Sequence, residues 1–166
     1  TVSIDARTGI STGISSADRA KTIFMAVSEA CRPEDLARPG HIFPLRAKDG
    51  GLLVRSGHTE GVVDLCRLAG LKPMGAISEV MNPDGTMARM PDLVKFSTEH
   101  GIPIVTIAEL ISYRMQHEKL IRKLSEADLP SDFGSFRVFA FENDVDRCTH
   151  IALVKGGPSG EEPVLV

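Results

Sequence analysis

The chain has 166 residues, 42% of them hydrophobic and 25% charged, which suffices for one core, or for one domain and part of another. That balance excludes a disordered or fibrous chain, and no apolar run reaches the ~20 residues of a membrane span. A net charge of −3 argues against a nucleic-acid partner, which requires a basic face, but leaves room for a local anion site.

TVSIDA alternates like a strand and RTGISTG is rich in turn residues. The opening, TVSIDARTGI, has neither the basic end nor the apolar core of a signal or transit peptide, so any such segment is expected upstream. A helix is expected from Ser15 or Ser16, where SSAD offers a capping hydroxyl and an early acid. CRPEDLARPG, with two prolines, reads as loop, HIFPLRA as extended, KDGG as a turn and LLVR as a short strand. EGVVDLCRLAG puts Val62, Val63, Cys66 and Ala69 on one helical face, with Gly70 as the stop.

MGAISEV reads as a buried strand, NPDG as a turn, PDLVKFSTEHG as a helix opened by proline and closed by glycine, and PIVTI as a second apolar strand. AELISYRMQHEKLIRKL reads as one long charged helix, with Leu110, Ile111, Leu120 and Leu124 near one stripe. Strands alternating with helices predict an α/β (α+β) domain over residues 1–115, a mixed sheet flanked by helices, then a helical linker over 116–130. From 131 to 166 FRVFAF, the polar ENDVDR turn, THIALVKG, GGPSGEEP and PVLV predict the start of an antiparallel β module. The cysteines, Cys31, Cys66 and Cys148, are far apart, odd in number and in no C-x-x-C pair. They read as reduced thiols, two of them candidates for burial.

The run RSGHTEGVVDLCRLAG, residues 55–70, concentrates polar chemistry at a helix start. N–H groups there lack acceptors and carry partial positive charge, so Gly57, His58 and Thr59 can face an anion, and Arg55 adds a fork of donors suited to phosphate. A surface turn with a capping threonine and a solvated arginine gives the same pattern. His58 is a candidate metal ligand or a plain loop histidine. His41, in RPGHIFPLRA, sits where prolines fix the backbone and can aim an imidazole. Glu79, in ISEVMN, is an acid near the end of an apolar strand, costly to bury unless paired, protonated or functional.

Taken together, TGISSADR, RPGHIFPLRA, GGLLVRSGHTEGVVDLCRLAGL, DGTMARMPDL and IPIVTIAELISYR resemble 3,4-dihydroxy-2-butanone 4-phosphate synthase over residues 1 to about 115. LPSDFGSFRVFAFENDVD and THIALVKG resemble the opening of GTP cyclohydrolase II, in the order found in bifunctional riboflavin-biosynthesis proteins. The resemblance implies conversion of D-ribulose 5-phosphate to L-3,4-dihydroxy-2-butanone 4-phosphate and formate, with magnesium or manganese. It implies that Arg55, Ser56, Gly57, His58 and Thr59 hold the sugar phosphate, that His58 ligates the metal, and that His41 and Glu79 are needed for turnover. Glu79 would also touch substrate, and Thr12 would line the pocket. It further implies a homodimer, in bacterial cytosol or plant plastid.

The family's first strand and helix and its acidic D-R-E-x-E-G-D loop, which supplies another metal ligand, are not among these 166 residues. The cyclohydrolase part stops before its zinc-binding cysteines, so that activity is not expected of this chain, and Cys148 is not read as a zinc ligand. The alternative to an enzyme is a non-catalytic phosphosugar-binding or dimerisation domain that keeps the fold.

Overall fold

In the computed structural model, which describes residues 1–156, the chain divides into two compact units, Thr1–Ile107 and the residues from Ala108 onward. Most of the expected GGPSGEEP turn and all of PVLV lie outside the described residues.

The first unit begins with strand β1, Ile4–Ala6, antiparallel to β2, Leu36–Ile42. Helix α1, Ser16–Val27, starts where expected, because the Ser15 hydroxyl accepts the Asp18 N–H at 3.1 Å. Thr22 ties α1 to β1: its hydroxyl accepts the Ala6 N–H at 2.9 Å and donates to the Asp18 carbonyl at 3.1 Å. Helix α2, His58–Leu68, ends as Gly70 takes φ +68° and the Leu71 N–H reaches back to the Cys66 carbonyl. Helix α3, Met90–His100, has proline in its first turn and Gly101 left-handed at its end.

Helices and strands are mixed as expected, but the described strands pair antiparallel rather than in a mixed sheet. CRPEDLARPG is not all loop, since its second half is β2. The register explains how a strand accepts that sequence: Ala37 faces Asp5 and Ile42 faces Ile4, so residues 38–41, RPGH, bulge out between neighbouring rungs. A bulge needs no ladder hydrogen bond from proline.

LLVR is not a strand. Gly50 and Gly51 both take positive φ, Gly51–Leu53 forms a single tight 3-10 turn, and the Leu52 N–H is taken by the Asp64 carboxylate at 2.8 Å. MGAISEV and PIVTI form no strand either, and Ile77, Ile104 and Val105 stay largely exposed. A β-strand needs a neighbour to accept its ladder, and the one bridge nearby, Met81 to Met87, closes only the NPDG turn.

Helix α4, Ile107–His117, starts at the boundary between the units, and in the second it is followed by a three-stranded antiparallel sheet of β3, Ile121–Ser131, β4, Gly134–Asn143, and β5, Thr149–Val154. The long helix and the helical linker over 116–130 are therefore corrected: the helix stops at His117 and 121–131 is strand. Ten residue pairs join β3 to β4, and such pairing outweighs a helix propensity worth only tenths of a kcal/mol per residue. The hairpin character expected of FRVFAF and THIALVKG is present.

The buried set is small and unusually polar. Ile4, Ala6, Leu52 and Leu110 are its apolar members, beside Asp5, Asp18, Thr22, Glu60 and Asp64. Cys31 and Cys66 are half-buried and Cys148 is exposed, so no thiol is in the core. None of the described helices is long and apolar enough to cross a membrane.

Candidate active site

The β2 bulge delivers His41 onto Asp5. The Asp5 carboxylate meets His41 at two atoms: Oδ1 accepts the backbone N–H at 3.0 Å, and Oδ2 lies 2.7 Å from ring Nδ1. The adjoining Gly40 N–H donates to the Ser3 hydroxyl at 3.1 Å. Asp5 is buried, while the His41 side chain keeps 39% of its surface open. The backbone N–H of His41, then its ring, hold the Asp5 carboxyl below the usual carboxylate range against an opposing push from burial.

A loop is drawn down over this pair by Asp18. Its carboxylate accepts the Ser11 N–H at 3.2 Å, the Ser11 hydroxyl at 2.8 Å and the Gly13 N–H at 3.0 Å. These bonds, the Ser11 hydroxyl foremost, keep Asp18 below its ordinary value. Thr12 lies between the two anchored residues and is exposed, so its hydroxyl is presented on a fixed loop. Gly13 has φ +83°, and a methyl group there would run into Asp5 Oδ2 and come within 2.7 Å of His41 Nδ1. Only glycine lets the loop pass this close.

The second cluster lies at the start of α2. Gly57 is its capping residue and His58 its first helical residue, two positions earlier than the sequence suggested, and no side chain caps this end. Thr59 is in the first turn rather than the cap. Ser56 and His58 are exposed and Gly57 and Thr59 half-buried. Arg55 is not merely solvated, as the plain surface turn would have it: Arg55 Nη1 lies 2.7 Å from Glu60 Oε2, although the Arg55 side chain is 58% exposed. The other Glu60 oxygen accepts the Lys48 N–H at 3.0 Å, and that bond leads the causes that hold Glu60 below its usual range. A side chain on Gly57 would meet Arg55 Nη1 at 2.6 Å and Glu60 Oε2 at 2.7 Å. What approaches the Gly57 backbone closely is thus this ion pair.

The structure joins His41 to the Thr12 loop, and Arg55 to the Gly57–Glu60 turn. It does not place Glu79 in a buried strand: Glu79 is exposed, in a stretch without regular structure, so the cost of burial that singled it out does not apply. Asp5 and Glu60 were missed. The signal that could have found Asp5 was an acid inside the alternating strand SIDA, and for Glu60 an acid at the third helical position, where first-turn N–H groups attract carboxylates.

Among the described residues no three His, Cys, Asp or Glu side chains lie together as a metal site. His58 offers one imidazole, whereas a magnesium ion takes oxygen ligands in an octahedron. These residues do not make a complete divalent-cation site.

Comparison with known proteins follows the same division of the chain. The family profile described as 3,4-dihydroxy-2-butanone 4-phosphate synthase matches residues 1–113, and that of GTP cyclohydrolase II matches 122–166. The chain is 54% identical to the riboflavin biosynthesis protein RibBA of Synechocystis sp., over all of this chain and 31% of that protein. Among solved structures, the two-domain 3,4-dihydroxy-2-butanone 4-phosphate synthase RibBX of A. baumannii is similar with a TM-score of 0.80 and 47% identity. That match covers 96% of this chain and 47% of the other. A 3,4-dihydroxy-2-butanone 4-phosphate synthase solved with two magnesium ions matches with a TM-score of 0.62 and 36% identity, over 70% of this chain and 60% of that one. The chain thus spans a little under a third of that RibBA and a little under half of RibBX.

Proposed function

The chain belongs to the 3,4-dihydroxy-2-butanone 4-phosphate synthase family, and from that premise we propose that it carries the substrate-holding part of such an enzyme. The reaction proposed is conversion of D-ribulose 5-phosphate to L-3,4-dihydroxy-2-butanone 4-phosphate and formate, a step of riboflavin biosynthesis. The observation that carries the reading is the helix start at Gly57, which has no capping side chain and carries beside it an arginine fixed by a buried glutamate.

The N–H groups of the first turn attract an anion. Glu60 holds one edge of the Arg55 guanidinium and leaves the remaining donors of the fork for phosphate. Ser56 and Thr59 add hydroxyls, and Thr12 a third from the Asp18-anchored loop. His41 and Glu79 are the groups proposed to move protons at the carbons next to the carbonyl. Magnesium, or manganese, would polarise the hydroxyketone when bound. His58 is proposed as one ligand, with the rest of the shell outside the described residues.

Residues 1–115 are proposed as the synthase part and the sheet beyond as the opening of a cyclohydrolase-like module. A homodimer is proposed on the family's habit alone. The test is formate release from D-ribulose 5-phosphate by the full-length protein. Wild type should release formate, and Arg55→Ala should raise KM by about 10- to 100-fold with kcat little changed, because a contact remote from the reacting carbons contributes mostly uniform binding. Absence of formate would overturn the activity, and an unchanged KM would remove Arg55 from the site. Sugar-phosphate binding without turnover would favour a non-catalytic binding domain.

A further inference from the structure

We infer that Asp5 is a positioning residue for His41, fixing its ring as the tautomer with the proton on Nδ1 and the lone pair on Nε2. The inference rests on the reading of His41 as a proton-moving group and extends it to a residue in another strand.

The argument is one of donors and acceptors. Oδ1 of Asp5 is committed to the His41 backbone N–H at 3.0 Å, and Oδ2 lies 2.7 Å from Nδ1. An ionised carboxylate only accepts, so at that distance Nδ1 must be the donor and the neutral ring must carry its proton there. None of the described hydrogen bonds involves Nε2, and the side chain is 39% open. The nitrogen turned away from Asp5 is therefore the basic one. When it accepts a proton from a substrate carbon, the electron pair stays on the substrate and the imidazolium keeps Nδ1–H on the carboxylate. Two further features hold the pair in register: the bulge of residues 38–41 and the Gly13 backbone, which passes so close that a Cβ there would overlap Asp5 Oδ2 and His41 Nδ1.

The same geometry makes Asp5→Asn a sharp test. The backbone N–H of His41 can meet only the amide oxygen, so the amide NH2 must face Nδ1. Nδ1 then has to accept, and the ring proton moves to Nε2, where it blocks the base. In the full-length protein with histidine labelled by nitrogen-15, wild type should show Nδ1 protonated and Nε2 bare, and Asp5→Asn the reverse. With D-ribulose 5-phosphate, kcat should fall about 10²- to 10⁴-fold while KM changes little, since Asp5 acts through His41 and not on the phosphate. A wild-type spectrum with the proton on Nε2 overturns the inference even if the variant fails to fold, and so does an unchanged kcat in a folded Asp5→Asn. If wild type releases no formate, the proposed activity fails, while the tautomer signature still decides what Asp5 does.

Discussion

Carboxylates serve two different ends along this chain. In the first 64 residues Asp5, Asp18, Glu60 and Asp64 are buried, and each accepts a backbone N–H from a loop or bulge: His41, Ser11 and Gly13, Lys48 and Leu52 respectively. Beyond Asp64 no described acid is buried, and most are exposed. Glu79 stands in an irregular stretch, and Glu126, on the β3–β5 sheet, pairs with Lys123 and Arg137 at 2.9 Å each. A buried carboxylate that takes two or three N–H donors fixes a loop as firmly as a strand pairing would, because leaving any of those groups unpaired is costly. An exposed pair fixes little. Preorganisation of the candidate site is therefore concentrated around His41 and Arg55 and absent around Glu79.

The strongest way to break that contrast is Gly13→Ala. The methyl group meets the Asp5–His41 pair and the backbone sits at φ +83°, which alone costs on the order of 1–3 kcal/mol for a residue with a Cβ. The steric conflict adds to it. Expected are a lower melting temperature and loss of at least ~100-fold in formate release, since relief requires moving either the loop or His41. A Gly13→Ala variant with wild-type stability and turnover would show that the Asp18-anchored loop is not held as described.

Glu79→Gln sharpens the contrast from the other side. Glu79 is exposed and in no helix or strand, so its substitution should leave the melting temperature within experimental error. If Glu79 is a proton-moving group, kcat should nonetheless fall by about 10²- to 10⁴-fold. A large loss of stability would mean that the carboxylate belongs to the structural set after all. Unchanged kcat would remove it from the site.

What the sequence disclosed follows the same line between local and distant. Helices α1, α2 and α3 were legible because their stops and starts are written beside them: Ser15 with Asp18, Gly70, Pro91 and Gly101. The RPGH and RSGHTE runs also drew attention to His41 and Arg55 as candidates. Their partners were harder to see, since Asp5 is 36 residues from His41, and Glu60 read as the start of an ordinary helix face. LLVR has the composition of a strand, yet two left-handed glycines and a carboxylate from α2 turn it into a tight helix-like bend. IRKL, residues 121–124, has the composition of a helix, yet β4 draws it into a strand. In each case a contact remote in sequence overrode a weak local preference.

The smallest expected effect separates the two uses of carboxylates by acid and salt. Asp5, Asp18 and Glu60 are all held below the usual range, chiefly by the His41 N–H, the Ser11 hydroxyl and the Lys48 N–H. A carboxyl whose folded value lies below its unfolded one adds stability that is present above the unfolded value and is lost as pH falls through the folded value. The melting temperature should therefore hold down to about pH 4.5, near the unfolded carboxylate values, and fall below it. Glu126 is also held low, by Lys123 first and then Arg137, but at 41% exposure its share is weak and screened by salt. Asp18→Asn should lower the melting temperature at neutral pH and flatten the fall below about pH 4.5, in low salt and in ~1 M salt alike, because its donors are neutral groups next to it. Glu126→Gln should shift the curve slightly in low salt and not at all in ~1 M salt. An Asp18→Asn curve as steep in acid as wild type would show that this carboxylate does not tie down the loop over His41, and the contrast between the two regions would then rest on burial alone.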